Sequence, residues 1–133
     1  IFPCYAELVA FFHEQGLPVI LHSCGSVRDA MPLIVEAGFD ALNPMERKAD
    51  GNDPFLFAEQ YGDRLAFFGG FDARIFETND HGLIRREIVA YLEGMKSRGA
   101  RLIFASDHSL SPRVAYDTYR RAVEVYREHR YYR

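Results

Sequence analysis

The sequence predicts an α/β fold in which about four parallel strands alternate with covering helices, as in the C-terminal half of a (β/α)8 barrel. Three observations carry that prediction. Four strand-to-helix units follow one unmatched helix in strict alternation. The strands read as continuous apolar runs, as in Leu65-Ala66-Phe67-Phe68, which is the pattern of parallel strands covered by helices. Polar residues gather at the C-terminal end of every strand: His22 and Cys24; Asn43 and Glu46; Gly69, Gly70 and Asp72; Ser106, Asp107 and His108. Active sites of (β/α)8 barrels lie on that face and draw groups from several strands. No GxGxxG fingerprint follows any strand, which disfavours a dinucleotide-binding open sheet.

The elements follow in order. Leu8, Phe11 and Phe12 have helical spacing, and Gly16 before Pro18 ends that helix. Residues 18 to 22 form the first strand. A helix is expected from Ser26 or Val27, with Ser26 capping, to Glu36, where Gly38 terminates it. Residues 39 to 43 are the second strand. A polar loop from 46 to 53 leads to a helix over 54 to 61, with proline at an early position. Residues 65 to 69 form the third strand, and a loop from 72 to 78 precedes a long amphipathic helix over 80 to 98, stopped by Gly99. Residues 102 to 105 are the fourth strand, and the last helix is expected from Ser111 or Pro112 to His129. Tyr116 and Tyr119, three apart on it, are read as packing residues.

The 133 residues, 48% hydrophobic and 26% charged, suit a single globular domain over residues 1–133. A formal charge of -3 and the lack of a Lys/Arg-rich run argue against nucleic acid as a partner. The two cysteines, Cys4 and Cys24, are too few for a disulfide framework and suit a reducing cytoplasm. No apolar stretch is long enough to suggest a membrane span, and no signal peptide is evident. The chain opens on Ile1 inside a helical pattern, so we expect a fragment without the N-terminal half of the barrel.

The segment from Leu17 to Gly25 holds the main chemical signal. His22 and Cys24 are two positions apart at a strand end, so they share a face, and an imidazole nitrogen and a thiolate sulfur can converge on one ion. Zinc accepts both ligands. A buried small hydrophobe and a hydrogen-bonded histidine would be the plainer use of the same pair. Gly69 and Gly70 give room for a substrate or for packing, Asp72 a ligand contact or a cap, and Arg74 an anion contact or a surface ion pair.

The run His22-Ser23-Cys24-Gly25-Ser26-Val27, residues 37 to 44 (AGFDALNP), residues 61 to 72 (YGDRLAFFGGFD) and residues 103 to 109 (IFASDHS) together resemble the C-terminal half of the uroporphyrinogen decarboxylase superfamily. The resemblance covers nearly the whole chain. It implies an enzyme acting on a small molecule, and His-x-Cys is similar to the zinc site of the branch that transfers methyl groups between a corrinoid and a thiol. A corrinoid protein is then an implied partner. Glu46 lies where cobalamin-independent methionine synthase, a more distant relative, supplies an oxygen ligand, so the implied metal set is His22, Cys24 and Glu46. The methyltransferases bring a further cysteine from the last strand, where this chain has Asp107 and His108, either of which is chemically able to replace it. The resemblance also marks Asp107 and His108 as catalytic candidates, and Asn43, Gly69, Gly70 and Asp72 as substrate-binding ones. The alternative it implies is cofactor-free uroporphyrinogen decarboxylation in porphyrin biosynthesis, with His108 contacting substrate. A third reading is a non-catalytic half-barrel that self-associates, as a homodimer, through its open strand edges.

Overall fold

The computed structural model describes residues 1–132. The element order is α1 (Phe2–Glu14), β1 (Ile20–Ser23), α2 (Met31–Glu36), β2 (Ala41–Pro44), α3 (Pro54–Tyr61), β3 (Ala66–Phe68), α4 (Ala73–Glu77), α5 (His81–Lys96), β4 (Leu102–Ile103) and α6 (Tyr116–His129). The four strands form one parallel sheet in the order β1-β2-β3-β4. Sequential neighbours joined by helices are the arrangement of half a (β/α)8 barrel.

The register sets which side chains share a face. Ile20 lies opposite Ala41 and His22 opposite Asn43, while Leu42 lies opposite Phe67 and Phe67 opposite Leu102. Leu42 and Phe67 are fully buried among the helices, with Ile34, Phe57, Ile88 and Met95 in the same core. Each such side chain contributes about 1.5–3 kcal/mol relative to exposure. On the other face Ile20 and Ile103 are 46% and 50% exposed. The apolar strands are therefore covered on one side only, because among the described residues no element packs on the face that a closed barrel turns inward.

Several boundaries differ from the sequence expectation for local reasons. Ser26 does not cap α2: its hydroxyl donates to the Asp50 carbonyl at 2.7 Å, and a 3-10 turn at Arg28–Ala30 precedes the helix. Residues 73 to 77, expected as loop, form α4, capped by Asp72, whose carboxylate accepts from the Arg74 N–H at 2.9 Å. The last helix begins at Tyr116 rather than near Ser111. In α1 the buried residue is Val9, while Leu8 and Phe11 are about half exposed, because the side of the helix packed on the domain carries Tyr5 and Val9. Tyr119 is half exposed and Tyr116 is 79% exposed, so Tyr116 does not pack; the two rings lie 6.5 Å apart. No helix among the described residues is long and apolar enough to cross a membrane.

Candidate functional site

β1 carries His22 to the open face of the sheet and releases the chain at Cys24, where Gly25 takes a left-handed conformation (φ 77°) and turns it away. Both His22 and Cys24 are exposed. The His22 Nε2 and the Cys24 Sγ lie 3.4 Å apart. From the neighbouring strand, Asn43 meets the other ring nitrogen: its Oδ1 is 2.6 Å from His22 Nδ1, and its Nδ2 donates to the Phe68 carbonyl at 3.0 Å. Cys24, His22, Asn43 and the β3 backbone thus form one hydrogen-bonded chain across three strands.

Glu46 reaches over the same strand ends. It is 7% exposed, accepts from the Gly25 N–H at 2.5 Å through Oε2, and directs Oε1 to the His108 Nε2, with the Lys48 ammonium 3.8 Å away. The Gly25 N–H lowers the pKa of this carboxyl, and the contact with His108 adds to that, against the opposing cost of burial. His108, half-buried at the end of the fourth strand, is therefore brought to the loop after the second.

Asn52 completes this side of the site, and nothing in the residue pattern had singled it out. Its Nδ2 donates to the Gly25 and Glu46 carbonyls at 2.9 and 3.0 Å, and its Oδ1 accepts from the Val27 N–H at 3.0 Å. One buried amide binds the turn after Cys24 to the loop that carries Glu46. The available signal was an asparagine among turn residues, Gly51-Asn52-Asp53, a type that bonds to nearby backbone.

The strand ends of β3 and β4 are organised differently. Gly69 (φ 100°) and Gly70 (φ 80°) are buried; a Cβ on Gly69 would lie 2.9 Å from the Pro44 carbonyl oxygen, and one on Gly70 would overlap the Tyr91 hydroxyl. That hydroxyl donates to the Gly69 carbonyl at 2.9 Å, and burial pushes its pKa upward. Asp72 is gripped by Arg74, with Nε and Nη2 at 2.9 and 2.5 Å. Asp107 is 4% exposed; its Oδ1 accepts from the Ala73 N–H at 2.9 Å and its Oδ2 has no hydrogen-bond partner among the described residues. Asp107 therefore joins the β3 and β4 loops. Arg47, also not singled out by the residue pattern, lies over the rings of Phe55 and Tyr91, 5.8 Å from each centroid.

The family model for uroporphyrinogen decarboxylase (URO-D) matches residues 1–129. The chain belongs to the uroporphyrinogen decarboxylase family. No curated protein sequence matches it. Within this family fold the structure brings His22, Cys24 and Asn43 together, pairs Glu46 with His108 behind them and ties Glu46 to the turn after Cys24 through the Gly25 N–H, and sets Gly69, Gly70, Asp72 and Asp107 into a further group used for packing and loop attachment.

The donor chemistry of His22 and Cys24 fits a soft divalent ion such as zinc, since an imidazole lone pair and a sulfur face each other and the far ring nitrogen is held by a hydrogen-bond acceptor, as ligating histidines usually are. Among the described residues no three His, Cys, Asp or Glu side chains converge at ligand spacing. Glu46 is engaged with Gly25 and His108 instead, so it would have to turn from His108 to complete a set.

Proposed function

We propose that this protein is a zinc-dependent methyltransferase of the uroporphyrinogen decarboxylase family, moving a corrinoid-bound methyl group to a small thiol, with a corrinoid protein as partner. The observation that carries this reading is the exposed His22–Cys24 pair, 3.4 Å apart on the open side of the strand ends. His22 and Cys24 would hold the ion, and Glu46 is the available oxygen donor. Zinc bound there supplies the positive charge that keeps a thiol deprotonated and nucleophilic at neutral pH. The chain's own contributions are distinct from that. Asn43 holds the His22 ring, Gly25 and Asn52 hold the loop behind Cys24, and Glu46 keeps His108 at the mouth as a proton donor or acceptor for a bound substrate.

Decarboxylation is the second reading, favoured by the Glu46–His108 pair. A carboxylate committed to His108 leaves two donors converging, His22 and Cys24, and holds His108 as a hydrogen-bonding contact for an acidic substrate.

Elemental analysis of the full-length protein, purified without a metal-binding tag beside a His22→Ala/Cys24→Ala variant, separates the two. About one zinc per chain, lost in the variant, is the result expected for the methyltransferase, and corrinoid and thiol substrates are then assayed. Absence of zinc after addition of the metal overturns that reading in favour of decarboxylation.

A further inference from the structure

We infer that Asn43 is a positioning residue that fixes the tautomer of His22, and so decides which ring nitrogen faces Cys24. The argument begins at a backbone carbonyl. The Phe68 oxygen only accepts, so the Asn43 amide must present Nδ2 to it, 3.0 Å away. That orientation turns Oδ1 toward His22 Nδ1, at 2.6 Å. A carbonyl oxygen also only accepts, so the proton of the neutral imidazole sits on Nδ1. The lone pair is left on Nε2, 3.4 Å from the Cys24 sulfur. In this form Nε2 accepts the Cys24 S–H or binds a cation. In the other tautomer Nε2 would carry a proton and do neither.

The arrangement is set by the sheet rather than by a loop. His22 and Asn43 are paired in register on adjacent parallel strands, and Phe68 lies on the next strand of the same sheet. An exposed imidazole with no such partner would rotate freely, and a free imidazole side chain favours the proton on Nε2. Asn43 therefore works against the intrinsic preference. Partners of this kind on ligating histidines raise metal affinity about 10- to 100-fold. The consequence for metal affinity rests on the zinc reading above; the tautomer does not.

The test uses the full-length protein in two measurements. In the metal-free state, 15N spectra of the neutral histidine ring are expected to show the proton on Nδ1. Asn43→Ala is expected to move it toward Nε2, while Asn43→Asp, which keeps an acceptor, retains it on Nδ1. Zinc affinity by chelator competition is expected to fall about 10- to 100-fold in Asn43→Ala and to survive in Asn43→Asp. An Nε2–H tautomer in the parent protein, or spectra unchanged by Asn43→Ala, overturns the inference. So does an Asn43→Asp variant that behaves like Asn43→Ala, because a packing role would then explain both, and this variant also decides the matter if Asn43→Ala does not fold. A parent that shows the Nδ1 proton, loses it in Asn43→Ala and yet binds no zinc sustains the Asn43 assignment and removes only the zinc reading.

Discussion

Apart from His108, which leaves the β4 end to meet Glu46, the two pairs of strand ends use their polar residues in opposite ways. At β1 and β2, His22, Cys24 and Asn43 bond chiefly to one another, and His22 and Cys24 stand exposed. At β3 and β4, Gly69, Gly70, Asp72 and Asp107 are spent on holding the fold: a tyrosine hydroxyl against a glycine carbonyl, a helix cap clasped by Arg74, and a buried carboxylate on the Ala73 N–H. A polar residue at a barrel strand end is therefore not a functional residue by position alone. What separates the groups is whether the residue stands exposed at the strand end, as His22 and Cys24 do, or is taken up in holding a turn, a helix cap or a loop.

That contrast predicts large stability effects on one side and small ones on the other. The largest is expected at Gly70. Alanine there must adopt φ 80° and overlap the Tyr91 hydroxyl, with the Met45 methyl 3.1 Å from the new Cβ. Left-handed strain of about 1–2 kcal/mol and overpacking of about 1–3 kcal/mol together give a loss of about 3 kcal/mol for Gly70→Ala, read as a shift in urea midpoint. A midpoint unchanged from the parent would mean that the glycine is there for a ligand and not for Tyr91.

Asp107→Ala comes next. It strands the Ala73 N–H, which the Asp107 Oδ1 now satisfies, at about 1–3 kcal/mol. Asp107→Asn keeps an acceptor for that N–H and should lose much less. If Asp107→Asn loses as much stability as Asp107→Ala, the charge of the carboxylate rather than its acceptor role matters, and the orphan Oδ2 has a partner still to be found.

Asp72→Asn is expected to cost about 1 kcal/mol or less, since asparagine still caps a helix but gives up the charged grip on Arg74. It also carries a pH signature. Hydrogen bonding to Arg74 lowers the Asp72 pKa, against the opposing effect of burial. A carboxyl with a lowered folded-state pKa contributes stability that is fully present above its unfolded value of about 3.9 and is lost as pH falls through the folded value. The parent should therefore lose stability on acidification below about pH 4 more steeply than Asp72→Asn. Parallel curves for the two proteins would show that the Arg74 pair is too solvated to matter.

The sequence exposed the alternation of elements and the four strand-end clusters because both are local patterns. It could not show how the clusters divide, since that depends on pairings across the fold. The start of α6 illustrates the difficulty. Ala115 stands at its N-cap without a side-chain cap hydrogen bond, and the acceptor for the Ala115 N–H is the Asn79 Oδ1, 36 residues earlier in the chain. Ser111 and Pro112 carried the expected local signal, and the helix begins after them. The five-residue α4 was too short for periodicity to register. His-x-Cys was legible for the opposite reason: two ligands on one strand need only the strand period to share a face. Their partners Asn43 and Glu46 stood out as residue types, but their bonds to His22, Gly25 and His108 depend on strand order and register.

The smallest stability effect is expected at the two residues proposed to hold the metal. Neither His22 nor Cys24 supports the core; both are exposed, and their mutual contact is the only hydrogen bond of the Cys24 sulfur among the described residues. Cys24→Ala should therefore change the stability read from urea unfolding by less than about 0.5 kcal/mol in the metal-free protein, in keeping with other exposed substitutions. If zinc binds at this pair, the same change removes the metal and with it any stabilisation that zinc confers by binding the folded state alone. Measuring the midpoint of parent and variant with and without added zinc yields four values, and the contrast between the two regions requires that three of them coincide. A Cys24→Ala variant already weakened without zinc would put Cys24 with Gly70 and Asp107 as a structural residue, and the division between the strand ends would fail at its most exposed member.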